Sequence, residues 1–331
     1  MTRLIKTVLY GVVFSVWILI CGEVFLRVIS SITPIYNIEM LKYAKELKVE
    51  SNNPKISHVH RPNSSARLMS VDITLNSLGH RNEELEYQKK KDKKRIYMLG
   101  SSIMLGWGVS EEDGFAKVFQ RKLNKKNKKR GSPNYLTINA GIGNYNTFYQ
   151  VELFEEQVSI VDPDIVVLQY YINDAEANPR GTDNIILKYS LLAASAHYYF
   201  HSILFVSSSS IEEYYSNMYE DENNGWKQAQ ASIAKLKTIC AERHIPVIAL
   251  LIPDFHDLSS DGVFFKIYQK IQTTFDKNEI PMVNTFSAIQ NKFKENPREA
   301  WLANDDPHPN LAVHQIIGNE LYEFFVKQNL Y

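Results

Sequence analysis

The chain has 331 residues, 44% of them hydrophobic and 22% charged, enough to bury an ordinary globular core in one large domain or two small ones. Its 37 basic residues balance its 37 acidic ones, which leaves no global field to recruit nucleic acid or acidic substrates. Only two cysteines are present, Cys21 and Cys240, too few for a disulfide framework, and the first lies in an apolar stretch where a structural bridge is not expected. That stretch, Thr7 to Gly22, follows Arg3 and Lys6 and is almost unbroken apolar sequence. It is slightly shorter than the ~20 residues that span a bilayer core, but Glu23 and Arg27 stand at helical spacing and can pair or snorkel. No small-x-small cleavage site follows Gly22, and Leu19-Ile20 ahead of Cys21 does not suit lipid attachment. Residues 1–30 are therefore expected to form an uncleaved, single-pass transmembrane anchor rather than a signal peptide. The positive charge ahead of it places the amino terminus in the cytoplasm and everything after residue 30 outside, periplasmic or at the cell surface.

Residues 31–94 form a connector expected to pack on the following domain as an added edge or flap. Ile38 to Val49 has helical spacing, Val71 to Leu75 alternates like a strand, and Asn76-Ser77-Leu78-Gly79-His80 is a turn. The lysine cluster Lys89 to Lys94 is a solvated linker.

From residue 95 to 331, strands and helices alternate. Strands are predicted at 95–100, 135–140, 164–171, 245–252 and 280–285, and helices at 114–126, 147–159, 226–243, 262–277 and 310–327. This order implies an α/β fold, a three-layer doubly wound (flavodoxin-like) parallel sheet of about five strands with right-handed crossovers. Lys122 to Arg130 is a basic run best read as a charged helix end. Residues 175–225 are a long insertion, rich in aromatics between Tyr189 and Tyr219, placed to wall a substrate cleft. His197 and His201 within it have no carboxylate or cysteine partner at metal-binding spacing, so a structural role is expected.

Chemistry-bearing residues gather at the carboxyl ends of these strands. Gly100-Ser101-Ser102 follows the first strand, where α/β folds place reactive groups. Asp305 and His308 share a proline-stiffened loop and can supply a base for Ser102 and a carboxylate that fixes the base's tautomer. Gly141 offers an unobstructed backbone N–H and Asn173 a side-chain amide, which with the Ser102 N–H could hold an oxyanion. No Gly-x-Ser-x-Gly elbow, His-Glu-x-x-His, phosphate-binding loop or Cys-x-x-Cys is present, so no metal or other cofactor is called for.

Four blocks, Gly100-Ser101-Ser102, Asn139-Ala140-Gly141, Ile172-Asn173-Asp174 and Asp305-Asp306-Pro307-His308, resemble those of the SGNH hydrolases, the GDSL esterases and lipases, over roughly residues 95 to 328. The resemblance implies Ser102 as nucleophile, His308 as base, Asp305 as its orienter, and Gly141 and Asn173 as oxyanion donors. His314 matches a second histidine of the last helix with no catalytic role. Ser101 replaces the usual Asp before the nucleophile, which alters the local hydrogen bonding. The expectation is a membrane-anchored cell-envelope serine esterase acting through an acyl-enzyme on an ester-bearing glycan or lipid, most simply O-acetyl groups of an envelope or exported polysaccharide. Two alternatives stay open: an O-acyltransferase with a sugar hydroxyl as acceptor, and a silent glycan-binding scaffold for a membrane acyltransferase or polysaccharide-assembly partner.

Overall fold

The computed structural model describes residues 2–86, 88–127, 134–177, 185–208 and 210–330. A long apolar helix, α1 (Thr2–Ile32), leads into α2 (Tyr36–Leu47) and two short antiparallel pairs, β1 (Lys48–Glu50) with β2 (His58–His60) and β3 (Ser65–Leu68) with β4 (Val71–Thr74). Next come β5 (Lys93–Gly100), α3 (Ser102–Leu105), α4 (Phe115–Asn127), β6 (Asn134–Gly141), α5 (Thr147–Val161) and β7 (Ile165–Tyr170). After a 3-10 turn at Ile172–Ala175 the insertion contributes α6 (Ile185–Tyr189), α7 (Leu191–Ser208) and α8 (Ile211–Met218). The chain ends with α9 (Asn224–Glu242), β8 (Val247–Leu251), α10 (Val263–Lys277), β9 (Met282–Asn284), α11 (Phe286–Phe293), the hairpin β10 (Trp301–Ala303) and β11 (Asp306–Pro309), and α12 (Leu311–Lys327).

The five central strands pair in parallel in the order β6-β5-β7-β8-β9. Numbered along the chain this is 2-1-3-4-5, the flavodoxin-like order whose ligand crevice lies outside the carboxyl ends of the strands, at the reversal between the first and third. β7 (IVVLQY) and β8 (VIALL) are buried along their whole length, as strands covered on both faces must be. One helical layer pairs α4 with α12, and the other pairs α5 with α9. The five predicted strands and five predicted helices of the alternating region are all present, each with ends shifted by no more than two residues. The basic run from Lys122 continues beyond Asn127 into 128–130, outside the described residues, as do 178–184 of the insertion and the side chain of His201.

Of the two arrangements expected for the connector, an added edge or a flap, the structure shows the flap. The connector adds no edge to the main sheet, because β3 and β4 satisfy each other. It packs instead as a flap: Tyr43, Leu47, Leu68 and Ile73 form one buried cluster with Leu105 and Trp107 of the segment after Ser102. Nor is all of the lysine cluster a solvated linker. Lys93 and Lys94 open β5, and Asp164 anchors the cluster through Lys89 at 3.2 Å and Lys94 at 2.9 Å.

Candidate active site

Strand β5 ends at Gly100, and the chain turns directly into α3, whose first residue is Ser102. The turn is fixed from three sides. Gln169 of β7 accepts from the Ser101 N–H at 3.0 Å and the Ser101 hydroxyl at 3.2 Å, supplying the local bonding left open by the missing aspartate. Asn139 of β6 donates to the Met104 carbonyl at 2.7 Å. Arg81, almost wholly buried in the connector, donates to the carbonyls of Leu105 (2.9 Å), Gly106 (2.8 Å), Val109 (2.9 Å) and Asp72 (3.1 Å), so a charge that would be costly alone is spread over four acceptors. Gly108 follows with φ +73°, where a side chain would be strained and would collide with Leu302 of β10.

The β10–β11 hairpin brings the base to the nucleophile. The Ser102 hydroxyl lies 2.8 Å from His308 Nε2. Asp306 Oδ1 accepts from His308 Nδ1 at 2.6 Å and from the His308 backbone N–H at 3.0 Å, and Asp306 Oδ2 accepts from Trp107 Nε1 at 2.8 Å. With Nδ1 donating to the carboxylate, Nε2 keeps its lone pair for the serine proton. Burial of Asp306 acts to raise its pKa, but the hydrogen bonds and charge of His308 and the Trp107 N–H outweigh it and hold the carboxyl below its usual range.

This corrects the expected orienter of the base. Asp305 is exposed, and its carboxylate accepts from the Tyr36 backbone N–H at 3.3 Å instead. The reason is strand geometry. Asp306 and His308 are two residues apart in β11 and share a face, whereas Asp305 sits in the preceding turn.

The oxyanion residues also separate. Asn173 stands in the 3-10 turn after β7, its Oδ1 buried and unpartnered, and no described hydrogen bond engages its amide. The Ser102 N–H opens α3, where a helix leaves such groups without an internal acceptor. Gly141 does not join them. Its N–H donates to Asn139 Oδ1 at 3.0 Å, and a Cβ there would collide with the backbone of Met104 and Leu105. Gly141 thus serves the close approach of β6 to α3. His314 is fully buried, its Nδ1 accepts from the Phe115 N–H at 3.2 Å, and burial pushes its pKa down to about 3, so it is a neutral helix-packing residue.

Three features escaped the sequence reading. Tyr36 and Trp107 flank His308, with ring centroids 5.7 and 6.0 Å from the imidazole. Asp254 and His256, after β8, repeat the Asp306–His308 unit: Asp254 Oδ1 accepts from the His256 N–H at 2.8 Å and Nδ1 at 2.7 Å. This second pair has the Tyr171 hydroxyl on its carboxylate and Trp301 against its imidazole, at 4.9 Å between centroids. The shared spacing, Asp254-Phe255-His256 and Asp306-Pro307-His308, is the signal that could have found both. Among the described residues, no group of three or more His, Cys, Asp or Glu is placed to hold a metal ion.

A serine hydroxyl on an imidazole, itself on a buried carboxylate, at the carboxyl edge of a doubly wound sheet is the equipment of a serine hydrolase. Comparison with known families agrees: the GDSL-like Lipase/Acylhydrolase family matches residues 98–316, and the chain belongs to that family, a group of serine ester hydrolases. No curated protein matches the chain. Among solved structures it is similar to the acetyl xylan esterase AlAXEase, at 19% identity and a TM-score of 0.42, covering 70% of this chain and 98% of that one. It is also similar to the psychrotrophic esterase EstA from Pseudoalteromonas sp., at 14% identity and a TM-score of 0.42 over 72% and 100% of the two chains. A third likeness is to the lipase/acylhydrolase from Enterococcus faecalis, at 15% identity and a TM-score of 0.43 over 71% and 96%. Membership rests on the family match rather than on these distant likenesses. Among the described residues, one helix, Arg3–Ile32, is long and apolar enough to be a membrane anchor or a signal sequence.

Proposed function

We propose that the protein is an envelope esterase that removes short acyl groups, O-acetyl above all, from an exported or surface polysaccharide, held at the outer face of a membrane by α1. The observation that carries the catalytic part is the Ser102 hydroxyl 2.8 Å from His308 Nε2, with Asp306 behind the imidazole. Ser102 Oγ bonds to the ester carbonyl carbon while its proton passes to Nε2, and Asp306 stabilises the imidazolium. The tetrahedral oxyanion takes hydrogen bonds from the Ser102 N–H and the Asn173 amide. Collapse breaks the bond to the sugar oxygen, which leaves with the proton from Nε2. Water then attacks the acyl-enzyme, giving its proton to Nε2, and Ser102 recovers it as the acid departs. Family membership and the anchor support a short acyl group on a glycan.

The test is hydrolysis of p-nitrophenyl acetate and longer p-nitrophenyl esters by the full-length protein in detergent, beside Ser102→Ala, with acetate release measured from O-acetylated glycans. The expected outcome is acetate release and acetyl-ester cleavage, both lost in the variant. Equal rates in both proteins would remove Ser102 as nucleophile. Fast cleavage of long-chain esters without acetate release from any glycan would redirect the reading to a lipase.

A further inference from the structure

The insertion carries an apolar helix, α7, to which the catalytic steps above assign no part. From Leu191 to Ser210 the sequence contains no Asp, Glu, Lys or Arg. In α7 the side chains of Tyr198, Tyr199 and Phe200 are 49%, 63% and 64% exposed. Three large rings exposed in succession on a helix without Asp, Glu, Lys or Arg mark a candidate interaction site in a folded protein.

The beginning of α7 is fastened to α1. The Glu23 carboxylate accepts from the Ser190 hydroxyl at 3.0 Å and from the N–H groups of Leu191 at 3.1 Å and Leu192 at 3.0 Å. A side chain of one helix thereby caps the amino terminus of another, where its charge also suits the dipole. Arg27 pairs with Glu23 at 2.6 Å and donates to the Tyr189 carbonyl at 2.9 Å. At Gly22 the helices come so close that a Cβ would stand 3.3 Å from Leu192. Beside this joint lies an open groove of about 800 Å³, lined by Val16, Leu19, Ile20, Leu192, Ala193 and Ala196 among others.

The position of the joint along α1 says what covers α7. At about 1.5 Å rise per residue, the stretch from Arg3 to Glu23 is about 30 Å long, the thickness of a bilayer's hydrocarbon layer. Glu23, and with it the start of α7, therefore falls at the outer boundary of that layer. Tyrosines on an uncharged helix suit the same boundary, where amphipathic rings collect. Glu23 and Arg27 satisfy each other and the α7 backbone, so the joint leaves no bare charge there.

We propose that α7 lies in the membrane interface beside α1, with lipid acyl chains covering its apolar surface and filling the groove. This rests on the reading of α1 as a retained anchor, and it deepens that reading: removal of α1 would strip the Ser190, Leu191 and Leu192 donors of their acceptor. It also holds the catalytic site close to the lipid surface, because α7 packs on α2, the helix that carries Tyr36.

The test uses the full-length chain with Cys21→Ser, since Cys21 is exposed and Cys240 buried. Single cysteines are introduced by Val16→Cys in α1 and Phe200→Cys in α7, labelled with an environment-sensitive fluorophore and reconstituted in phosphatidylcholine vesicles with or without nitroxide-labelled lipid. The expected result is a blue shift and loss of emission to the nitroxide lipid at both positions. Adding Glu23→Ala should preserve the quenching at position 16 and weaken it at position 200. Quenching at 16 with a water-like, unquenched label at 200 would overturn the interfacial helix and leave the anchor standing. A blue-shifted label at 200 that the nitroxide lipid does not quench would assign the surface to a protein, a second copy or a partner, and overturn the lipid assignment. No quenching at either position would remove the anchor itself. Unchanged quenching at 200 after Glu23→Ala would overturn the role of the joint.

Discussion

Replacing Asp306 by Asn tests which of two adjacent carboxylates serves His308. Asp306 is fully buried and uses both oxygens, Oδ1 for two donors of His308 and Oδ2 for Trp107 Nε1. An amide cannot reproduce this in either orientation. With its oxygen toward His308, its NH2 meets the Trp107 N–H; turned over, its NH2 meets the His308 backbone N–H and forces the imidazole to accept at Nδ1. The second arrangement places the imidazole proton on Nε2, where it can no longer take the proton of Ser102. Either orientation leaves a buried donor unpaired, at about 1–3 kcal/mol. Both orientations remove the imidazolium's counter-charge and the second also removes the productive tautomer, so kcat should fall about 10⁴-fold, on the order of 5.5 kcal/mol. Asp305→Asn keeps an oxygen able to accept from the Tyr36 N–H, 3.3 Å from the carboxylate, and removes only an exposed charge, so kcat should stay within about threefold, the scale of a weak surface interaction. The assay is steady-state hydrolysis of p-nitrophenyl acetate by both full-length variants in detergent. An Asp305→Asn protein as impaired as Asp306→Asn, or an Asp306→Asn protein within tenfold of the parent, would refute the assignment.

Arg81→Ala removes the guanidinium shared by the carbonyls of Asp72, Leu105, Gly106 and Val109, of which Gly106 keeps the Val109 N–H and Leu105 the Asn139 amide, and should cost about 3 kcal/mol of stability and depress kcat by loosening the Ser102 turn; unchanged thermal stability and activity would contradict it. Because the folded-state pKa of Asp306 is lowered, its stabilisation is fully present above the unfolded value of about 3.9 and is lost as pH falls through the lower folded value. The Tm difference between the parent and Asp306→Asn should therefore close as pH falls below about 4, as thermal scans at descending pH would record. At His256, burial acts to lower the pKa but the Asp254 hydrogen bond and charge outweigh it, so the net shift is upward. The pair's stabilisation is present below about 6.5 and lost as pH rises through the higher folded value, and Asp254→Asn should move the His256 NMR titration to lower pH.

The alternating region was legible because its signals are local. Apolar runs such as Ile165–Tyr170 and Val247–Leu251, each flanked by helical periodicity, fix element type, and their parallel order places residues 102, 173 and 308 on one edge. The error at 305 arose where local signals run out. Asp305 and Asp306 are chemically identical neighbours, and only the extended backbone of β11, paired through Ala303 and Trp301 of β10, decides which one turns inward. Gly141 misled in a similar way. A glycine at a strand end suggests an exposed N–H, but here it is required by the approach of the α3 backbone, a contact between segments about 35 residues apart that no short window reveals.

The same long-range dependence explains why the connector cannot be understood apart from the catalytic chemistry. Its Tyr43 and Tyr36 rings pack against Trp107, at 5.7 and 6.4 Å between centroids, and Trp107 in turn holds Asp306 through Nε1. Its Arg81 holds the turn that follows Ser102. The nucleophile's turn and the base's carboxylate are thus both braced by residues that precede the sheet in sequence. The dense packing between them resists small displacement, since a shift of Trp107 would open a void against Tyr43 and withdraw the donor from a buried charge at once. The segment after α1 is therefore part of the catalytic scaffold: through α2 it brings Tyr36 against His308.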